Sequence, residues 1–407
     1  MDKKHLRRDL AVVAFTAFLN FVGFTISIPI FPTLCLDQTG GIIAAGTSIQ
    51  ARTIILGFLL GIFPLCQFFA APILGTLSDR YGRKKILLFS IIGMFIGYII
   101  MAVSIVQSNL MLAFLSRIIM GGLSGSLAVI QSAISDLSDE KSRPKNFGLL
   151  GAAFGASLFI GPALGGFLSD PAIHPWFNYS TPFWVAAFLT ALNFSQVLWQ
   201  FSETLSPERR RHTDFHILIG PINIIKAFQN AAHRKIFLVA FFLGFGFNFF
   251  TQFFQVYLLD KFNTTTSQLG ILFSCMGISA ILAQAVIVRP VSKRFKPAQV
   301  LRFSLLLLAG ILPLILMVPN FKLLFPVIIF IPIFNGLSMP NLTAVISGLG
   351  SSENQGEILG INQSVQAMAQ FLPPLLGGVI VGYNFSLPVW IAAASILISW
   401  VFFVRAR

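Results

Sequence analysis

Charge is scarce in this chain. Only 10% of its 407 residues are Asp, Glu, Lys or Arg, against 56% hydrophobic, and the mean hydropathy is +0.82. A soluble domain has no means of covering that much apolar surface, whereas a bundle of membrane helices has lipid as its solvent. Acids are the rarest charged type: fourteen in all, each in a loop or at the end of an apolar segment. Cysteine is nearly absent. Cys35, Cys66 and Cys275 follow neither a metal nor a redox spacing and read as small apolar residues. The five histidines all lie outside the apolar segments, which argues against a membrane-buried metal site, and no cofactor is expected. There is no G-x-x-x-x-G-K-[ST] loop to hold ATP, and no Ser/His/Asp or zinc spacing falls on an apolar face, so an enzyme is not expected. The first apolar run is too long for a signal-peptide core, has no clear cleavage site, and is expected to remain as a helix.

Apolar runs of spanning length are what the chain has in abundance. Twelve occur, at 10–34, 49–77, 84–107, 110–135, 146–168, 182–202, 235–259, 268–289, 299–318, 322–348, 356–381 and 386–404. The expectation is an all-α membrane protein with two six-helix halves, 1–202 and 235–407, joined by a linker at 203–234. That linker carries Glu203, Glu208, Arg209, Arg210, Arg211, Asp214 and Lys226. Its stretch from Phe215 to Gln229 is amphipathic and reads either as a helix lying on the bilayer surface or as a solvated connection. With the N-terminus placed in the cytoplasm, 24 of the 28 lysines and arginines fall on that side. Arg52, Lys261 and Lys322 fall on the other, and Arg117 lies inside a span. This positive-inside bias predicts cytoplasmic termini and explains the net charge of +14 without nucleic acid.

The halves repeat one another. Leu77–Ser90 lines up with Val291–Ser304 at an offset of 214, and Phe159–Gly166 with Phe371–Gly378 at an offset of 212. Nearly equal offsets argue for one duplication, and two similar halves around a midplane cavity is the plan of many secondary transporters. The charge itself is concentrated in Gly75-Thr-Leu-Ser-Asp-Arg-Tyr-Gly-Arg-Lys-Lys85, which packs Asp79, Arg80, Arg83, Lys84 and Lys85 between two apolar runs. Gly75 and Gly82, either side of its Leu-Ser-Asp-Arg core, are expected to permit a tight turn and close helix contact.

That stretch resembles the signature loop of the major facilitator superfamily, between spans two and three. Arg117-Ile-Ile-Met-Gly-Gly122 is similar to the same superfamily's buried-arginine motif. Gly151-Ala-Ala-Phe-Gly155, followed by Gly161-Pro-Ala-Leu-Gly-Gly166, resembles the fifth-span motif of twelve-span drug/proton antiporters, including the tetracycline exporters. That places Gly155, Gly161, Pro162, Gly165 and Gly166 in the motif. Pro29 and Pro32 near the outer end of span one also fit. The resemblance covers the whole chain and implies the major facilitator fold. It further implies that Gly75, Asp79, Arg80, Gly82, Arg83 and Asp136 form a cytoplasmic gate. In that reading Arg83 pairs with Asp136, and Asp79 sits at a helix N-terminus in the other half, that of span eleven, where the dipole favours a carboxylate. The alternative is a solvated, positive turn.

Arg117 is the one charge well inside a span. A guanidinium there costs at least roughly 2.5–3.5 kcal/mol, so it should face the bundle interior or a wet cavity. It shares a helix face with Gly121, Ser124, Ala128 and Gln131. It reads either as a structural arginine or as an anion site or partner in proton coupling. Asn20 lies on a stripe with Thr16, Gly23 and Ser27, where the tetracycline-type exporters have what looks like an aspartate. A neutral amide there removes one support for proton antiport; Asp136, Asp260 and Glu357 stand only at the rims. The second half offers Asn248, Gln252 and Gln255 on span seven, Asn335, Ser338 and Asn341 on span ten, and Gln363, Gln366 and Gln370 on span eleven. Such amides serve either helix packing or ligand recognition. In the fold implied by the resemblance, spans one, four, seven and ten line the cavity. The phenylalanines, 44 in number and clustered from Phe241 to Phe254, face lipid or core, and some could wall a large ligand.

Two transport functions follow, both for a monomer in a bacterial inner membrane with a small-molecule substrate and lipid as its partners. The first is drug or metabolite efflux by proton antiport, on the fifth-span motif. The second is uptake or facilitated transport of an anionic metabolite, such as a polycarboxylate siderophore or amino-acid-like compound, on Arg117 and a cavity without an acid. A non-transporting receptor is the reading of another class, and the intact gate loop and repeat count against it.

Overall fold

The computed structural model describes residues 3–39, 41–124, 126–139, 142–206, 208, 210, 219–229, 233–349 and 355–406; within these, the side chains of 3–4, 143–145, 285, 289, 292–293 and 355–357 lie outside the description. All regular elements among the described residues are helical. Twelve helices are long and apolar enough to cross a membrane: His5–Leu36, Ile49–Tyr81, Arg83–Val106, Leu110–Asp136, Asn146–Leu168, Thr181–Gln200, Arg234–Phe262, Thr266–Val288, Pro297–Met317, Phe321–Ser347, Ile358–Val381 and Leu387–Arg405. These are spans one to twelve below. Helices are the natural solution for such segments because every internal backbone N–H and C=O finds its partner within the helix.

Local chemistry sets the ends. Pro182, Pro297 and Pro388 stand in the first turns of spans six, nine and twelve, where a missing N–H costs nothing. Thr265 and Gln268 form a reciprocal capping box at the start of span eight. Span one is not continuous: its helix stops at Thr25, turns, and resumes over Ile30–Leu36 directly after Pro29. Span four is divided into Leu110–Leu123 and Ser126–Asp136, with Ser124 between them and Gly125 outside the described residues. Span eight widens into a π-helical turn, Ala283–Val288, just before Pro290.

The chain divides into two compact units, Met1–Ala45 with Ile62–Leu218, and Gly46–Gly61 with Ile219–Arg407. The first part of span two thus belongs with the second unit, where it lies on span eleven. A side chain at Gly57 would strike the Pro374 carbonyl and Gly378, and one at Gly378 would strike the Thr53 carbonyl. The two units repeat a packing scheme. Spans one and five, one and six, three and four, and three and six touch in the first. Spans seven and eleven, seven and twelve, nine and ten, and nine and twelve touch in the second. The first unit's core joins Val12, Leu74, Leu87, Ile130, Val197 and Phe201. In the linker, Ile219–Gln229 is a helix, while residues 215–218 lie outside the described residues. Its Asn223 amide donates to Ser364 Oγ of span eleven at 3.2 Å, and Ile222 and Ile225 stay exposed.

One expectation needs correction. Span two continues as helix through Tyr81, and the turn to span three is the single residue Gly82. Gly75 therefore stands inside a helix, and a side chain there would meet nothing within 4 Å among the described residues. It permits neither a turn nor a close contact.

Candidate functional site

The end of span two is where the charged groups meet. Gly82 has φ +105°, a conformation that side chains rarely adopt, and a Cβ there would run into the Glu203 carboxylate. The turn and the carboxylate require each other. Glu203 Oε1 accepts from the Arg83 N–H at 2.8 Å and Oε2 from the Lys84 N–H at 3.2 Å, so an acid caps the N-terminus of span three. Lys84 Nζ in turn donates to the Leu198 carbonyl in the last turn of span six, at 2.8 Å. Arg83 is buried. Its Nε donates to Asp136 Oδ2 at 3.0 Å, its Nη1 donates to Ser78 Oγ at 2.7 Å, and it pairs with Asp79 one turn behind. Thr204 Oγ1 also donates to Asp136, at 3.3 Å. The structure thus gathers Asp79, Gly82, Arg83 and Asp136. Arg80 lies apart from these bonds, its guanidinium 5.3 Å from the Tyr81 ring. The start of span eleven, named above as a partner for Asp79, includes 351–354 and the side chains of 355–357; these, Glu357 among them, lie outside the described residues.

Arg117 is buried, with its guanidinium carbon 4.6 Å from the Phe63 ring centre and 5.0 Å from that of Phe31. Both rings bring aromatic electron density close to the cation, a partial compensation for lost water. Phe31 reaches this position because span one breaks before it. On the same span, a Cβ at Gly23 would overlap the buried Tyr98 hydroxyl, which has no hydrogen bond among the described residues. Asn20 Nδ2 donates to the Thr16 carbonyl at 3.1 Å, and its Oδ1 accepts from Ser126 Oγ at 3.2 Å. Asn20 thus links span one to the far piece of span four. Gln131 is half-buried and makes no hydrogen bond among the described residues.

The fifth-span glycines meet the break in span one. A side chain at Gly161 would overlap Thr25 Oγ1, and one at Gly165 would overlap the Ile26 carbonyl. Thr25 Oγ1 donates to the Ser157 carbonyl at 2.9 Å across the same contact. Pro162 and Gly166 are buried beside them, whereas Gly155 is half-buried nearer the start of the span.

In the second unit the amides divide. Asn248 and Asn341 donate to carbonyls of their own helices, Gly244 at 2.8 Å and Leu337 at 2.7 Å. Gln252 reaches the Gln370 carbonyl of span eleven at 3.4 Å, and Gln366 points its amide at the Met339 sulfur of span ten at 3.9 Å. Gln255 is 1% exposed; its Nε2 donates to the Gln252 carbonyl at 3.3 Å, but its oxygen, like that of Asn335, has no partner among the described residues. Gln363 is exposed. Gln255, Gln252 and Gln370 form one chain of bonds; among the described residues no hydrogen bond ties the other amides to it.

Three charged residues escape a reading by position in sequence. Glu203 looks like the first residue of a linker. Arg52 looks like a loop cation, yet it is 0% exposed and donates to the Thr47 carbonyl at 3.2 Å. Asp9 is likewise 0% exposed; Oδ1 accepts from Arg8 and from the Ser202 N–H, both at 3.3 Å, and Oδ2 has no partner among the described residues. A Glu-Thr pair directly after an apolar run was the only available signal for the first, and none marks the other two.

A family profile described as Major Facilitator Superfamily matches residues 13–260 and 236–407. The class C tetracycline resistance protein of Escherichia coli is 30% identical over 380 residues, covering 90% of this chain and 88% of that protein. Multidrug resistance protein 1 of Bacillus subtilis (strain 168) is 24% identical over 404 residues, covering 98% and 95%. The quinolone resistance protein NorA of Staphylococcus aureus (strain COL) is 24% identical over 395 residues, covering 95% and 93%. Among solved structures, a D-xylose–proton symporter superposes with a TM-score of 0.75 at 15% identity over 97% of each chain. The human organic anion transporter MFSD10 (TETRAN) does so at 0.72 and 21% over 98% of this chain and 99% of that one. At such identities the likeness speaks of the fold alone.

Proposed function

Because this chain belongs to the Major Facilitator Superfamily, and so is a multi-pass membrane transporter of small molecules rather than an enzyme, we propose that it exports a drug or metabolite by proton antiport through alternating access. The observation that carries this reading is the seam between spans one and five. Gly161 and Gly165 let the backbone of span five lie directly on the interrupted turn at Thr25–Ile26, a joint that a larger side chain would wedge apart. Relatives named for tetracycline, quinolone and multidrug resistance support export. The buried Arg83 with its two carboxylates acts as the cytoplasmic latch, held by contacts weak enough to break in each cycle. The proton is exchanged on the cytoplasmic side through carboxylates at helix ends, Asp9 and Asp136, because no acid stands at mid-span. The working unit is a monomer in a bacterial inner membrane with both termini in the cytoplasm. Reconstituted vesicles with an imposed pH gradient test this: tetracycline or ethidium flux should follow the gradient, and flux indifferent to it ends the antiport reading.

A second reading is transport of an anionic metabolite, and the buried Arg117 beside two phenylalanine rings favours it. Its test is thermal stabilisation by a panel of siderophores and amino acids, with and without Arg117→Ala. A hit that survives the substitution unaltered removes Arg117 from the site.

A further inference from the structure

The second unit holds an open surface pocket of about 580 Å³ lined by Tyr257, Asp260 and Lys261 at the end of span seven, Leu316 at the end of span nine, Asn384, Phe385 and Ser386 in the turn before span twelve, and Trp390 in its first turn. None of its lining residues belongs to the charged turn at 79–85, and it follows the amides of span seven at the far end of the same helix. Its size suits a small organic ligand.

The chemistry of the lining selects the sign of that ligand. Lys261 is the pocket's one cation, and its three N–H groups are already committed. Nζ donates to Tyr257 Oη at 2.8 Å, the Leu316 carbonyl at 2.9 Å and the Val318 carbonyl at 3.0 Å. It lies 5.3 Å from the centres of the Tyr257 and Phe262 rings. Lys261 therefore closes the C-terminal end of span nine, where free carbonyls attract a cation, and has no N–H left for an anion. Ser386 is also occupied: its N–H and hydroxyl both donate to Asn384 Oδ1, at 2.8 and 2.7 Å.

Asp260 is the opposite case. Its carboxylate is exposed and has no hydrogen bond or ion pair among the described residues. It stands in the last turn of the span-seven helix, Arg234–Phe262, where the negative end of the helix dipole makes a carboxylate unfavourable. Helix stability gives no reason for an acid there. Around it are Phe385 and Trp390, the latter 52% exposed. A carboxylate and aromatic rings lining one pocket are the groups that recognise an organic cation, through charge and ring faces.

We propose that this pocket is a binding site for an organic cation carrying apolar groups, held by Asp260 and stacked against Trp390. The proposal does not rest on the export reading. A free lipophilic cation and the ammonium head of a zwitterionic lipid share this chemistry.

The test uses the full chain in detergent, titrated with tetraphenylphosphonium while tryptophan fluorescence is followed. Saturable quenching is expected in the wild type and should vanish in Trp390→Phe. Asp260→Asn, at an exposed position, should weaken binding about tenfold. Tetraphenylborate, alike in shape and opposite in charge, should not bind there. Equal affinity in wild type and Asp260→Asn, quenching that survives Trp390→Phe, or borate binding as well as phosphonium would each overturn the proposal. Nanodiscs distinguish the two sources. If phosphatidylethanolamine, but not phosphatidylglycerol, competes with the probe in wild type and not in Asp260→Asn, the occupant is a lipid head. If neither competes while the Asp260 dependence stands, it is a free solute.

Discussion

The turn after span two and its repeat after span eight solve the same problem in opposite ways. In the first, Glu203 reaches back 120 residues to cap span three, the backbone takes a conformation that suits glycine, and a buried arginine joins two carboxylates. In the second, the cap comes from three residues away: Gln299 Oε1 accepts from the Lys296 N–H at 3.1 Å. Lys296 has an ordinary φ of −67°, and Pro297 stands where the first copy has Arg83. Lys293 replaces Asp79, so no acid enters the second copy. Duplicated sequence kept the helix–turn–helix path in both but wired only one turn to distant segments. A turn held locally survives motion of its neighbours, whereas one held from afar reports on them, and only the second kind suits the latch proposed above.

Substitutions that treat both turns alike should separate them. Arg83→Ala leaves half-buried Asp136 without its cation, with the Thr204 hydroxyl as its donor, and should cost about 3 kcal/mol, read as a large drop in thermal stability in detergent. Pro297→Ala should change stability by less than about 1 kcal/mol. Gly82→Ala forces a strained φ and displaces Glu203, for about 1–3 kcal/mol, while Lys296→Ala should be close to neutral; the same melting assay compares them. If both alanines melt alike, the contrast between the turns is lost. Glu203→Gln keeps an acceptor but removes the charge, for about 1 kcal/mol, and hydrogen exchange of the Arg83 and Lys84 amides should quicken. Asp79→Asn should have the smallest effect on stability, below about 1 kcal/mol, because its carboxylate is 42% exposed. Its effect belongs in transport kinetics, and an unchanged flux would remove Asp79 from the latch.

Much of this was legible in advance. The twelve spans follow from runs of apolar residues, and their observed ends differ from the expected ones chiefly where a helix continues past the last apolar residue, as span two does through Tyr81. The charged cluster at 79–85 is visible because charge is otherwise so sparse. The amides were harder. Asn248 and Asn341 use their side chains on their own helices, which no spacing rule distinguishes from a residue that turns inward to a ligand. A glycine beside a charged run looks like a turn, yet of Gly75 and Gly82 it is Gly82 that bears a positive φ.

By itself the sequence determined that this protein lies in a membrane as two related sets of six helices, with its positive charge gathered at the turns. Hydropathy acts over one span at a time and needs no knowledge of neighbours. Tertiary structure alone decided that Glu203 caps span three, that Arg52 and Asp9 are buried, and that Arg117 lies against Phe31 and Phe63. Those outcomes depend on side chains from distant segments arriving at one place, and the free energy of a buried charge is set by what it meets there.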